Sequence, residues 1–176
     1  MKTASARVRR GDSSDAASLA AFAAKTFADT FGPDNRPEDM SLHLARAYGI
    51  DQQARELGDP AYITVLIEVG EDIAAYAQVR RRVPPESVVG PSPIELYRFY
   101  VDRPWHGRGF AQLLMSEVRK AATELEGRTL WLGVWERNPR ARAFYANCGF
   151  HDVGSAEFVL GADRQTDRIL VASIAE

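Results

Sequence analysis

Two glycines set the main constraint on this chain. Gly107-Arg108-Gly109 follows a β-like run, Ile94 to Val101, and opens a helical stripe formed by Leu113, Leu114, Val118, Ala121 and Leu125. Thr129 to Val134 then reads as another β-run. Strand, helix and strand in that order make a crossover unit, which joins parallel strands. At the start of the helix, backbone N–H groups can converge on a phosphate or pyrophosphate, and the glycines allow the anion to come close. An ordinary strand-to-helix turn uses glycine equally well. No Lys-Ser or Lys-Thr follows the glycines as in a nucleotide triphosphate loop, and the third glycine of a dinucleotide fingerprint is missing.

The remaining chain supplies strands and helices around this unit. Ala6 to Arg9 alternates as a strand, and Asp12 or Ser13 can cap a helix over Ala16 to Phe27. Pro37 suits a first helical turn ahead of Leu42, Leu44, Ala45 and Tyr48, and Asp51 can cap a short third helix, Gln52 to Leu57. Tyr62 to Glu68 and Ile73 to Arg82 form a predicted antiparallel hairpin, with Arg80 to Arg82 as its solvated end. The proline-rich stretch Val83 to Pro93 is an exposed connection. Gly127 can end the helix after the glycine loop. Asn138 with Pro139 begins another helix, which Gly149 stops. Strands are expected near Glu157 to Leu160 and over Arg168 to Ile174.

With 176 residues, 45% hydrophobic and 26% charged, the chain suits one globular domain spanning residues 1–176. A net charge of -2 gives no electrostatic footprint for nucleic acid or an anionic membrane, so neither is expected as a partner. Cys148 is the single cysteine, which excludes an intramolecular disulfide and a cysteine metal cluster; no metal is expected. Met1 to Arg10 is polar and basic, without the apolar run of a secretory signal, and no stretch approaches the roughly 18 apolar residues of a membrane span. A cytoplasmic location is the expectation.

Taken with its surroundings, the segment His106-Gly107-Arg108-Gly109-Phe110-Ala111 resembles the cofactor loop of the GCN5-related N-acetyltransferase superfamily: Gln or Arg, two residues, Gly, one residue, then Gly or Ala. His106 departs from that first position. About 30 residues later, Asn138 to Phe150 resembles the family block Asn-x-x-Ala-x-x-Phe-Tyr-x-x-x-Gly-Phe. The strands Glu95 to Val101 and Leu130 to Glu136 resemble the family's flanking strands, and Ala75 stands where many relatives have glycine. Glu95 to Val101, the Val134-Trp135-Glu136-x-Asn138 stretch and the Gly161-x-Asp163-x-x-x-Asp167 turn look most like bacterial spermidine/spermine N-acetyltransferases.

The resemblance implies an α/β (α+β) fold with a mixed, mostly antiparallel sheet of about seven strands and helices on both faces. It implies acetyl transfer from acetyl-CoA to a primary amine, a polyamine first, by direct attack in a ternary complex. A catalytically silent CoA-binding sensor or partner-docking module is the alternative. In the family pattern the cofactor meets Phe99, Tyr100 and Val101 through main-chain groups, the loop His106 to Ala111, Asn138 and Tyr145. Tyr145 matches the general acid that protonates the departing thiolate, or it orients the cofactor; alone, it would read as a packing tyrosine. Glu95 is the first candidate base, with Glu136 or water in competition. His106 reads as a surface histidine, a phosphate-side contact or a base, and Phe27 and Phe31 as helix packing or an acceptor entrance. Such folds often pair, so a homodimer is an expectation.

Overall fold

The structure, a computed structural model, describes residues 5–174. The strands are β1 (Ala6–Arg10), β2 (Tyr62–Val69), β3 (Asp72–Arg80), β4 (Pro93–Val101), β5 (Thr129–Trp135), β6 (His151–Leu160) and β7 (Asp163–Ser173). The helices are α1 (Ala16–Phe31), α2 (Pro37–Ala47), α3 (Ile50–Gly58), α4 (Phe110–Glu124) and α5 (Pro139–Asn147). One seven-stranded sheet runs in the order β1-β2-β3-β4-β5-β7-β6. Among the described residues only β4 and β5 pair in parallel, as the crossover through α4 requires.

Alternation along the strands divides the core between the two faces. Val65 and Ile67 of β2 join Leu114, Met115 and Val118 of α4, while Leu66 between them joins Leu19, Ala23 and Phe27 of α1 on the other face. Tyr76, Met40, Tyr48 and Leu160 complete this second cluster. Helices therefore cover both faces, as the sequence predicts.

The geometry that positions the site lies in β4. Gln78 faces Arg98 and Val79 faces Leu96, so Tyr97 is an extra residue on β4 and forms a bulge. Its ring is held between two guanidinium groups, Arg80 at 3.4 Å and Arg98 at 4.3 Å from the ring centre. A bulge bends its strand, and pairing with β5 stops just before it, after Pro93, Ile94 and Glu95. Beyond Glu95 and Trp131 the two strands part.

Several expectations need correction. Arg80 is no part of a solvated end: its side chain is 12% exposed, bonded to Glu95 and to the Tyr62 hydroxyl. Only the register of β3 against β4 brings Glu95 to it. The third helix starts at Ile50 after an extended Gly49, which puts Asp51 in the first turn and leaves it without a capping role. At the end of α4 the left-handed residue is Glu126 (φ 60°), while Gly127 donates its N–H to Ala122 O at 2.8 Å. β6 and β7 are both longer than predicted; β6 is an edge strand whose bulge between Asp152 and Gly154 breaks the alternation.

Candidate active site

The parted strands open into one cleft of about 990 Å³ that runs from the glycine loop through the sheet to α1 and β7. Gly107 (φ 72°) and Gly109 (φ 82°) both hold left-handed backbone, which a side chain would strain, and nothing lies within 4 Å of where a Cβ would be. Gly109 precedes α4, whose first-turn N–H groups have no earlier helical carbonyl to bond. The loop is therefore open, rich in donors and at the positive end of a helix dipole.

Among the loop residues, His106, Gly107, Gly109 and Ala111 line the cleft. The side chains of Arg108 and Phe110 do not. Arg108 is exposed with its guanidinium over the Trp105 ring, and Phe110 packs against the core. The His106 ring is engaged at both nitrogens: Nε2 lies 2.7 Å from Val101 O, and Arg140 donates to Nδ1 at 3.1 Å. The tautomer with hydrogen on Nε2 satisfies both contacts, because arginine has no acceptor. His106 thus ties the loop to the end of β4 and to α5.

Phe99, Tyr100 and Val101 follow the parting point, and all three line the cleft. Phe99 packs toward α5, with ring centres 5.5 Å from Phe144 and 6.0 Å from Tyr145; Tyr100 stacks on Tyr76 on the opposite face. Asn138 caps α5, its Oδ1 accepting from Ala141 N at 3.1 Å, and its amide nitrogen has no partner among the described residues. Tyr145 is buried among Phe99, Phe144 and Phe150 at the cleft wall. Burial pushes its phenol well above the usual tyrosine range, so it stays protonated across the physiological range and available as a donor.

Glu95 also lines the cleft but is not free. Its carboxylate is bonded to Arg80 and lies 3.7 Å from Arg82, with 8% of the side chain exposed. Glu136 is exposed and outside the lining. Behind Glu95 a second buried pair, Arg98 with Glu56, is completed by Gln78 at 2.6 Å and Ala47 O at 3.1 Å. The far wall holds Phe27, Phe31, Trp135, Phe158 and His43, and burial lowers the His43 pKa. Phe27 and Phe31 therefore line the entrance as well as packing α1. Asp167, at the cleft edge on β7, was singled out in the sequence only as part of a turn; its environment is assembled from three strands and leaves no local signal. Among the described residues no group of His, Cys, Asp and Glu side chains suits a metal ion, and no helix is long and apolar enough to cross a membrane.

Residues 24–150 match the acetyltransferase (GNAT) family. An uncharacterized N-acetyltransferase in the pepI 3' region of Lactobacillus delbrueckii subsp. lactis is 35% identical over 150 residues, covering 85% of this chain and 87% of that protein. An uncharacterized N-acetyltransferase of Mycobacterium tuberculosis (strain H37Rv) is 31% identical over 160 residues, covering 91% of this chain and 98% of the other. In fold, the chain is similar to the PaiA N-acetyltransferase from Thermoplasma acidophilum, solved in complex with coenzyme A. That match has a TM-score of 0.78 at 15% identity and covers 96% of this chain and 99% of the other.

Proposed function

The chain belongs to the acetyltransferase (GNAT) family and is an acetyl-CoA-dependent N-acetyltransferase; we propose that it acetylates a small primary amine, a polyamine first, by direct attack in a ternary complex. The observation that carries this reading is the parting of β4 from β5 after Glu95, with an open glycine loop and a protonated, buried tyrosine on the walls of the same cleft. The cleft suits the cofactor: a Cβ at Gly107 or Gly109 would meet nothing, and the parted strands leave peptide groups of β4 without strand partners.

Bound acetyl-CoA supplies a thioester, with an electrophilic carbonyl carbon and a thiolate leaving group. In this reading the N–H groups of the loop and the first turn of α4 hold its pyrophosphate. The Asn138 amide and the peptide groups of Phe99 to Val101 hold the arm, and a β4 N–H faces the carbonyl oxygen as charge develops there. The Tyr145 hydroxyl donates its proton to the leaving sulfur. That transfer is uphill in solution terms, from an ordinary phenol near 10 to a thiolate whose thiol has a pKa near 8.5, so the buried hydroxyl works by hydrogen bonding to the sulfur as the C–S bond breaks and gives up its proton only as it regains one from the attacking nitrogen. Glu95, clamped by Arg80 and Arg82, acts here as the anchor that fixes the parting point and not as the base.

The test is a panel of amines, including spermidine, assayed for coenzyme A release. Turnover with at least one primary amine is expected. Tight cofactor binding with no turnover of any amine would leave a CoA-binding sensor in its place.

A further inference from the structure

Three carboxylates line the cleft: Glu95, Glu157 and Asp167. Glu95 is held by Arg80 and Arg82, and Glu157 is paired with Arg164 at 3.1 Å and is more than half exposed. The Asp167 carboxylate has neither a hydrogen bond nor an ion pair among the described residues. It sits on β7 between Trp135 of β5 and Ala156 of β6. Next to Trp135 on that face comes Gly133, which is exposed to the cleft, and a Cβ there would lie 3.0 Å from Asp167 Oδ2. The glycine leaves room for the carboxylate to lean across β5, the strand that parts from β4.

Resting on the acyl-transfer reading above, we infer that Asp167 receives the ammonium group of the acceptor and takes its proton. A half-buried carboxylate without a partner is unfavourable, and an arriving ammonium supplies the missing countercharge. Burial alone pushes its carboxyl up to about 6, within reach of a base that works near neutral pH. Other charged groups lining the cleft already have partners. Glu95 and Arg82 pair with each other, Glu157 pairs with Arg164, and burial lowers the pKa of His43 on α2. From α1 come only Phe27, Thr30 and Phe31. Phe31 and Trp135, edge to face at 6.1 Å, form an apolar wall beside the carboxylate, which suits an ammonium carried on an alkyl stem.

The proton count closes. One proton of the ammonium passes to Asp167 and then to solvent. The neutral nitrogen forms the N–C bond while the C–S bond breaks, its second proton replaces the one that Tyr145 gives to the thiolate, and one proton is released per turnover.

The test compares the wild type with Asp167→Asn and Asp167→Glu in two measurements, each beside a thermal melt. Calorimetry with coenzyme A present reads the binding of spermidine and n-butylamine. The pH dependence of kcat/KM reads the base. Expected for Asp167→Asn are amine affinity at least about tenfold weaker, coenzyme A affinity unchanged, kcat/KM lower by about 10²-fold or more, and loss of the acid limb expected of the wild type near pH 6. Asp167→Glu should restore part of the amine affinity. Unchanged amine affinity in a folded Asp167→Asn protein overturns the assignment, as does an acid limb that survives the substitution. Weaker amine binding in Asp167→Asn, in a wild type that acetylates no amine, would keep the ammonium site and remove the acyl-transfer reading instead.

Discussion

Asp167→Asn is expected to stabilise the folded protein at neutral pH even as it removes activity. In the fold the carboxyl holds its proton up to about pH 6, whereas an unfolded aspartate releases it near 3.8. Between those values the folded state binds more protons, so stability falls as pH rises through this window and stays lower above it. A shift of about 2 units at 1.36 kcal/mol per unit sets a ceiling of about 3 kcal/mol on the cost of the charge. The amide of asparagine is itself polar and the site is partly open, so a gain of about 1–2 kcal/mol at pH 7.5 is the working figure. In a chain of this size that corresponds to a melting temperature higher by roughly 2–8 °C. Urea unfolding at pH 7.5 and at pH 4.5 provides the assay, with the gain present at the first and mostly gone at the second. An Asp167→Asn protein that is less stable than wild type at pH 7.5, or equally stabilised at both pH values, would refute the reasoning.

Three other substitutions separate chemistry from structure. Tyr145→Phe should lower kcat at saturating substrates by about 10²-fold and leave coenzyme A affinity within about twofold, read by steady-state kinetics and calorimetry. Glu95→Gln should cost about 1–3 kcal/mol in urea unfolding, because Arg80 loses its buried partner, while kcat falls by less than about tenfold; a larger fall with unchanged stability would return Glu95 to the role of base. Glu56→Gln strips the charge from the partner of Arg98 in a pair whose side chains are each 3% exposed, and a loss of about 3–5 kcal/mol is expected in the same unfolding assay.

What the sequence makes legible here is what lies close together along the chain. The glycine loop, the Asn138 cap and the stripe on α4 each declare themselves within a few residues, and the hairpins follow from β-runs and turns. The parting of β4 from β5 has no such signature, since it depends on the Tyr97 bulge, which exists only in register against β3. Arg80 reads as solvent-facing until β4 folds back and delivers Glu95 to it. Asp167 is marked by the partner it lacks, and that is settled by which side chains β5, β6 and α1 bring near it.

The three-residue join between β4 and β5 also bears on how the molecule assembles. On one side of it, residues 6–124 build β1 to β4 with α4 packed on β2, β3 and β4; on the other, residues 129–173 build β5, α5, β6 and β7. In the first part every strand pairs with its neighbour in sequence, whereas in the second only β6 and β7 do and β5 reaches past β6 to pair with β7; β4 meets β5 only through the crossover of α4. The first part carries the glycine loop and the strand facing the thioester, and the second carries Asn138, Tyr145 and Asp167. Under the assignments proposed above, neither part holds a working centre, and one exists only where the two meet across the three paired residues of β4 and β5.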